Sequence, residues 1–116
     1  MPPGSPADTW VVVPLTGEID LASAPELRAE LGRLNETETP AIVLDLTDLE
    51  FIDSTGLGVL VGALRRARSQ GGDIRLAGAR PGIRRVLSVT GLDRVFELFA
   101  TVAEAMTGSP GAAPAV

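Results

Sequence analysis

Residues 42–58, IVLDLTDLEFIDSTGLG, hold a strand signal and a helix signal with a polar turn between them. The strand signal starts after Pro40, because residues 41–46 are nearly all apolar, as expected of a buried strand. The helix signal follows, with apolar side chains at Leu57, Leu60, Val61 and Leu64, the spacing of one helical face. These patterns predict a strand over residues 41–46 and a helix from Ser54 to about Gln70.

The turn between them, residues 53–56, places one carboxylate and two hydroxyls where the helix must begin. The first backbone N–H groups of a helix lack internal partners, and Ser, Thr and Asp side chains can accept from them. We expect one of the two hydroxyls, on Ser54 or Thr55, to cap the helix. The other would lie at a position suited to a phosphate, which a helix N-terminus stabilises. On local chemistry alone, a role as caps only is the commoner reason for Ser and Thr here.

The composition excludes several kinds of site. The 116 residues are 45% apolar and fit one domain. The chain has no Cys, His or Lys, which rules out disulfides, thiol nucleophiles, His acid–base pairs, thiolate or imidazole metal ligands, a phosphate-loop lysine and Schiff bases. The net charge of −5 argues against direct nucleic-acid binding. No apolar run is long enough for a bilayer and no signal-peptide pattern opens the chain, so we expect a cytoplasmic protein.

We predict a disordered lead (residues 1–8) followed by a folded domain (residues 9–106), whose first elements are as follows. Residues 10–15 are predicted to form a strand, and Pro14 indicates that this part of it lies at an edge or faces a gap in pairing. Residues 17–20 are predicted to lead into a loop. Ser23 and Glu26 have the spacing of a capping box at the start of the first helix, and Pro25 suits its first turn.

The second half continues the alternation of strands and helices. We predict a strand over residues 73–77, a helix from Pro81 that ends before Gly91, a strand over residues 95–98, a short helix over residues 101–106 and a flexible tail (residues 107–116). Alternating strands and helices indicate an α/β fold: a mainly parallel four- or five-stranded sheet with right-handed crossovers and three to four helices.

Three features of the predicted elements have more than one interpretation. Asp20 and Asp53 follow strands, where a magnesium ion is a minor possibility. Gly58 and Gly62 lie inside the second helix, where glycine costs about 1 kcal/mol relative to alanine. Close packing is the favoured reason for Gly62, whereas packing and a flat partner surface stay equally open for Gly58. The arginines at positions 65, 66 and 68 are predicted to form a solvated helix face rather than an anion clamp.

Two longer stretches resemble the STAS domain of bacterial anti-anti-sigma factors. They are VVPLTGEIDLASAPELRAEL (residues 12–31) and VLDLTDLEFIDSTGLGVLVG (residues 43–62). Residues 81–87 and 90–92 fit the same family, so that the resemblance covers about residues 10–100. Its most specific parts are residues 17–20 and 53–58.

The resemblance implies an anti-sigma factor antagonist, which is a binding module and not an enzyme. Such a protein binds an anti-sigma factor that is also a serine/threonine kinase and thereby releases a sigma factor. The kinase uses ATP to phosphorylate the second hydroxyl residue of the motif, and a phosphatase reverses this. By position the acceptor is Thr55, with Ser54 as its capping neighbour and Asp20 beside it. The implied partner-binding residues are Asp20, Asp53, Ser54, Thr55, Gly56, Leu57 and Gly58, with no catalytic residue, cofactor or metal.

The sequence departs from the family at two places. The family usually has Ser where this chain has Thr55, whose methyl group stiffens the side chain. Prolines 2, 3 and 6 stand where the family commonly has a first strand, which leaves a bare sheet edge and predicts a monomer or a weak homodimer. Two alternatives stay open: a non-switching STAS scaffold in a stress-signalling complex or transport system, and a nucleotide- or small-ligand-binding module that uses Asp20 and Asp53.

Overall fold

The structure is a computed structural model that describes residues 10–37 and 39–107. The predictions for residues 1–8 and 108–116 lie outside the described residues. The strands are β1 (Val11–Pro14), β2 (Gly17–Ile19), β3 (Ala41–Asp45), β4 (Leu49–Ile52), β5 (Asp73–Ala77) and β6 (Leu98–Phe99). The helices are α1 (Ala24–Leu34), α2 (Ser54–Ser69), α3 (Pro81–Val89) and α4 (Val102–Ala105), and a 3-10 turn covers Leu92–Arg94.

Four of the strands form one parallel sheet in the order β1-β3-β5-β6. The central strands β3 and β5 run in register from Ala41 beside Asp73 to Asp45 beside Ala77. Strand β1 lies at the edge, which confirms the position predicted from Pro14. Proline is tolerated there because an edge strand need not donate a hydrogen bond on its open side. The predicted α/β fold with a parallel four-stranded sheet is therefore confirmed.

The remaining two strands, β2 and β4, form a separate parallel pair that the sequence patterns did not predict. Residues 17–20 were expected to enter a loop, and residues 49–52 were assigned to no strand or helix. In β4 only the outer residues Leu49 and Ile52 are buried, while the two between them are exposed. This order lacks the alternation by which a strand is recognised, so the sequence gave no strand signal there.

The sheet has an apolar layer on each face. Residues at alternate positions of the strands, such as Ile42 and Leu44, pack with α1, α2 and α3 in the larger core. Their neighbours Ala41 and Val43 belong to a smaller cluster on the other face, which includes Ala105 of α4. Three helices therefore cover one face of the sheet, and α4 lies on the opposite face.

A buried arginine holds α4 in place. Arg75 of β5 is 4% exposed. Its guanidinium lies over the ring of Trp10, 4.3 Å from the centroid, and donates a hydrogen bond of 2.9 Å to the carbonyl of Ala105. A second hydrogen bond from the same nitrogen reaches the carbonyl of Thr107. The end of the described chain is thus fastened to the sheet by one side chain.

The last strand lies later than predicted. Residues 95–98 were expected to form it, but β6 covers Leu98–Phe99. The 3-10 turn after Gly91 continues into Val95, whose N–H donates to Leu92. Phe96 is buried in the larger core without being in a strand. The apolar side chains at the start of this segment therefore reflect packing in the core rather than pairing in a strand.

Candidate functional site

Helix α2 begins with a cap that the sequence left undecided. Asp53 has an extended backbone, and its Oδ1 accepts a hydrogen bond of 3.0 Å from the backbone N–H of Gly56. Within the described part of the chain, no side-chain hydrogen bond is made by Ser54 or Thr55. This corrects the expectation that a hydroxyl caps the helix and that Ser54 is the capping residue. Because Asp53 fills that role, both hydroxyls are available.

The residues of the motif differ in accessibility. Ser54 and Gly58 are exposed, Asp53 and Thr55 are half-buried, and Gly56 and Leu57 are buried. A Cβ atom at Gly56 would lie 2.7 Å from Cγ2 of Ile19, too close for any larger residue without a shift. Because Gly56 has no side chain, the start of α2 can pack closely against the β2–β4 pair. The accessible candidate surface is narrower than the predicted one, because Gly56 and Leu57 pack inside.

The loop after β2 lies beside the start of α2. The backbone N–H of Leu21 donates to Oδ2 of Asp53 at 3.2 Å, and the N–H of Asp53 donates to the carbonyl of Ile19 at 3.0 Å. Strands β2 and β4 are parallel, with Ile19 opposite Ile52, so the segments that follow them leave at the same end. This pairing brings the Asp20 loop against the helix start that carries Thr55.

The Asp20 carboxylate is engaged within its own turn. Its Oδ1 accepts from the backbone N–H of Ala22 at 3.0 Å and of Ser23 at 3.1 Å. The Ser23 hydroxyl in turn accepts from the N–H of Asp20 at 2.9 Å. Ser23 is the N-cap residue of α1 by position, but its side chain makes no capping hydrogen bond. The predicted capping box is therefore wrong, since the hydroxyl closes the Asp20 turn instead.

The carboxylate of Asp45, at the end of β3, is hydrogen-bonded within its own turn. Oδ1 of Asp45 accepts from the hydroxyl of Thr47 at 2.6 Å and from its N–H at 3.1 Å. Across the described ranges, no group of three or more acidic, His or Cys residues is placed to hold a metal ion. The arrangement therefore offers hydroxyls and a hydrogen-bonded loop rather than a metal-binding cluster.

Two apolar side chains near the site were missed by the sequence analysis. Leu21 is 72% exposed in the loop whose N–H bonds Asp53, and Phe51 is 48% exposed on β4, two residues before Asp53. Exposed large apolar side chains are often found at protein contact surfaces. The one signal for Leu21 in the sequence is a large apolar residue directly after Asp20 in the turn.

The arginines of α2 lie on its solvated side. Arg65, Arg66 and Arg68 are all exposed, which confirms the predicted solvated face. Arg68 also donates from Nε to Oδ1 of Asp73 at 3.1 Å and from Nη2 to the carbonyl of Val95 at 3.0 Å. Arg68 therefore combines exposure with a structural contact.

A groove of about 350 Å³ runs between α1 and α2. We call it the α1–α2 groove; its lining includes Arg28 and Gly32 from α1, and Gly58, Gly62 and Arg66 from α2. No heavy atom lies within 4 Å of the place that a Cβ would take at Gly62 or Gly58. The expectation that Gly62 serves close backbone packing is therefore wrong, and Gly58 also faces open space.

The family model described as "STAS domain" matches residues 5–105. The chain belongs to the STAS domain family. The resemblance inferred from residues 12–31 and 43–62 is thereby confirmed.

Named relatives of this STAS domain are anti-sigma factor antagonists. The anti-sigma-B factor antagonist of Bacillus subtilis is 37% identical over 90 residues, which are 78% of this chain and 82% of that protein. The crystal structure of an anti-sigma factor antagonist from Mycobacterium paratuberculosis has a TM-score of 0.76 and 35% identity, and the match covers 86% of this chain and 85% of that one.

A third relative has been solved in two chemical states. The anti-sigma factor antagonist SpoIIAA in its unphosphorylated form matches with a TM-score of 0.72 and 28% identity over 84% of each chain. The Bacillus SpoIIAA in the phosphorylated form matches with a TM-score of 0.65, 28% identity and coverage of 84% and 88%. Homology and structure together support an antagonist role for this STAS domain.

Among the described residues, no helix combines the length and the apolar character that crossing a bilayer requires.

Proposed function

We propose that this STAS domain binds an anti-sigma factor that is also a serine/threonine kinase, and that this binding releases a sigma factor. Phosphorylation of Thr55 switches the binding off, and a phosphatase restores it. The observation that carries the proposal is the free hydroxyl of Thr55 in the first turn of α2, where Asp53 has already taken the capping role. The names of the relatives support the antagonist role.

The choice of Thr55 as acceptor rests on the family motif and on its surroundings. Ser54 is exposed, so a phosphate there would stand in solvent. Thr55 is half-buried beside Asp53, so a phosphate on its oxygen would change the surface that a partner must cover. The phosphorylated SpoIIAA structure supports a phosphorylated state in the relative. The chemical step transfers the γ-phosphoryl group of ATP to Oγ1 of Thr55, whose proton leaves, and ADP is released.

The switch acts by charge at the interface. Unmodified Thr55 is neutral, and the exposed Leu21, whose backbone N–H bonds Asp53, offers an apolar contact. A phosphate with nearly two negative charges would have to be desolvated next to Asp53, close to the Asp20 loop. An unpaired buried charge costs several kcal/mol. A loss of about 3 kcal/mol in binding weakens affinity roughly 150-fold, so no change of fold is required.

The accessible partner surface consists of the residues around this hydroxyl. It comprises Asp20, Leu21, Asp53, Ser54, Thr55 and Gly58. Gly56 and Leu57 contribute by shaping the start of α2 from inside. On this proposal the protein is a substrate of its partner kinase and performs no catalysis itself.

The first experiment is intact-mass analysis of the protein purified from its own host, with fragmentation to locate any phosphate. A phosphate on Thr55 is the expected result. A phosphate on Ser54 would move the acceptor by one position. If no phosphate is found in any growth condition while the protein still binds its partner, the switch is wrong and the non-switching scaffold is correct. Calorimetric titration with nucleotides tests the ligand-binding alternative, and we expect no heat of binding.

A further inference from the structure

Three glycines of the α1–α2 groove weaken their helices without any packing benefit inside the chain. Gly32 of α1, like Gly58 and Gly62 of α2, has no heavy atom within 4 Å of the place a Cβ would occupy. Glycine within a helix is less stable than alanine, because the flexible backbone must be ordered. Gly56 and Gly72, in contrast, face atoms of their own chain closer than 3.0 Å. Outside the helix's own backbone, no atom therefore packs where a side chain at these three positions would begin.

The same groove carries two arginines with unused charge. Arg28 and Arg66 both line it, and neither forms an ion pair or a side-chain hydrogen bond within residues 10–37 and 39–107. Although the protein as a whole has a net charge of −5, the groove therefore carries two cations with which an occupant can pair. Guanidinium groups bind carboxylates through paired, directional hydrogen bonds. The charge of the groove thus complements an acidic occupant.

The groove is continuous with the candidate partner surface. Gly58 belongs to both, and it lies one helical turn after Thr55. From Gly58 to Arg66 the axis of α2 advances by about 12 Å at 1.5 Å per residue, which is a little over two helical turns. A trough of this length between two helices is suited to a third helix whose side chains fill it.

We propose that the α1–α2 groove receives an acidic, amphipathic helix of the same anti-sigma factor that covers Thr55. Its small or apolar side chains pack over Gly58 and Gly62, and a carboxylate lies between Arg28 and Arg66. This inference rests on the proposed function, since it assigns a second contact region to that partner. On this proposal the groove adds to the affinity for the anti-sigma factor, whereas phosphorylation of Thr55 switches the binding off, because the contacts in the groove do not involve the phosphate.

The test is calorimetric titration of the full chain with each purified kinase-type anti-sigma factor of the source organism. With the factor that binds the wild-type chain, Gly62→Leu fills the groove and Arg66→Glu reverses its charge. We expect each substitution to weaken binding by about tenfold or more. Ala29→Leu adds the same side chain to an exposed position of α1, and Arg65→Glu makes the same charge change one residue away. Both controls should alter the dissociation constant by less than about twofold.

The outcomes distinguish the groove from the switch. If Thr55→Glu loses binding while Gly62→Leu and Arg66→Glu bind like the wild type, the groove proposal is overturned and the proposed function stands. If Arg65→Glu weakens binding as much as Arg66→Glu, the effect is one of net charge and the groove proposal is again overturned. If no anti-sigma factor binds the wild-type chain, both proposals fail. Thermal unfolding of each variant shows whether it is folded, and Arg66→Glu at an exposed site provides the decisive result should Gly62→Leu unfold.

A small anion is the remaining occupant to distinguish. Native mass spectrometry of the wild-type chain and of Gly62→Leu shows whether such a molecule is retained. An anion lost in Gly62→Leu, together with an unchanged affinity for the anti-sigma factor, would overturn the helix proposal in favour of a small-molecule site.

Discussion

The carboxylate of Asp53 bonds both the N–H of Gly56, at 3.0 Å, and the N–H of Leu21, at 3.2 Å. One side chain therefore caps α2 and fixes the loop after β2 against it. Among the described residues, the hydroxyl of Thr55 in the first turn of α2 makes no hydrogen bond. Asp53 therefore holds the loop and the helix start of the candidate site together, and Thr55 supplies the hydroxyl that is proposed to be phosphorylated.

Replacing Asp53 is expected to destabilise the protein, whereas replacing Ser54 is not. Asp53→Ala removes the cap and the bond to Leu21, and we expect a loss of about 1–2 kcal/mol in the free energy of unfolding. Ser54→Ala should stay within about 0.5 kcal/mol, because its hydroxyl makes no hydrogen bond. Urea denaturation of both variants measures the difference. A larger cost for Ser54→Ala would show that Ser54 is the cap.

Substitutions at Thr55 should separate binding from switching. Thr55→Ala keeps the surface neutral, so we expect it to bind the kinase like the wild type and to resist inactivation by ATP. Thr55→Glu places a charge beside Asp53 and should weaken binding by about tenfold or more, since a carboxylate carries less charge than a phosphate. Calorimetry with the purified kinase measures both. Equal affinity of Thr55→Glu and wild type would exclude the electrostatic mechanism.

Leu21 is expected to contribute to binding but not to stability. It is 72% exposed, so Leu21→Ser removes little buried surface from the folded chain. If Leu21 packs into the partner, the substitution should weaken binding by about tenfold, as buried apolar anchors of interfaces do. The melting temperature should not change. Val89→Ser is a matched control, because Val89 is 77% exposed and lies on α3. An equal loss of binding affinity in Val89→Ser would show that Leu21 has no specific role in the contact with the partner.

Two glycines should respond in opposite directions to the same change. Gly62→Ala places a methyl group in open space and improves helix propensity, so the free energy of unfolding should rise by about 1 kcal/mol. At Gly72 a Cβ would lie 1.8 Å from the carbonyl oxygen of Pro40, where the N–H of Asp73 also bonds at 2.8 Å. Gly72→Ala should therefore cost about 3 kcal/mol. Chemical denaturation of the two variants tests this contrast.

Glu97 should make stability fall as the pH rises. Burial raises the pKa of the Glu97 carboxyl above its ordinary value, although Arg75 opposes this, with 3.5 Å between Nε and Oε1. The folded chain therefore holds the Glu97 proton more tightly than the unfolded chain does. That stabilisation is complete below the ordinary pKa of a glutamate and is lost as the pH rises through the raised value.

The measurement is the free energy of unfolding of Glu97→Gln and wild type across the acidic range. Relative to wild type, Glu97→Gln should gain stability as the pH rises, because the variant has no carboxyl to ionise. Glu30→Gln, an exposed change of the same kind on α1, corrects for the loss of one charge. A difference that shrinks with rising pH would contradict the assigned direction.

The sequence predicted the parts of the fold in which one physical pattern dominates. Strand β3 is a nearly continuous apolar run, β5 has apolar residues at alternate positions (Ile74 and Leu76), and α2 has a clear apolar face, so each was located to within a residue or two. Strands β2 and β4 were not predicted, because they are short and β4 buries only its two ends. Their pairing is a contact between distant segments, which local patterns do not report.

The candidate site was predicted in its location but not in its bonding. Asp53, Ser54 and Thr55 can each cap a helix, and only the extended backbone of Asp53 decides between them. In the same way Ser23 had the spacing of a cap, yet its hydroxyl bonds Asp20 instead. Exposure is also a tertiary property, which is why Leu21 was missed and why the burial of Gly56 was not foreseen.

Arg75 determines where the chain emerges after its last helix. Since α4 is held on the sheet face opposite α1, α2 and α3, the described chain ends, at residue 107, on the face away from α2. A protein tethered to a sensor surface through a C-terminal tag would therefore present α2 to the solution. The same placement means that a fused domain or fluorescent reporter at this end can be added without covering the surface on which the kinase must act.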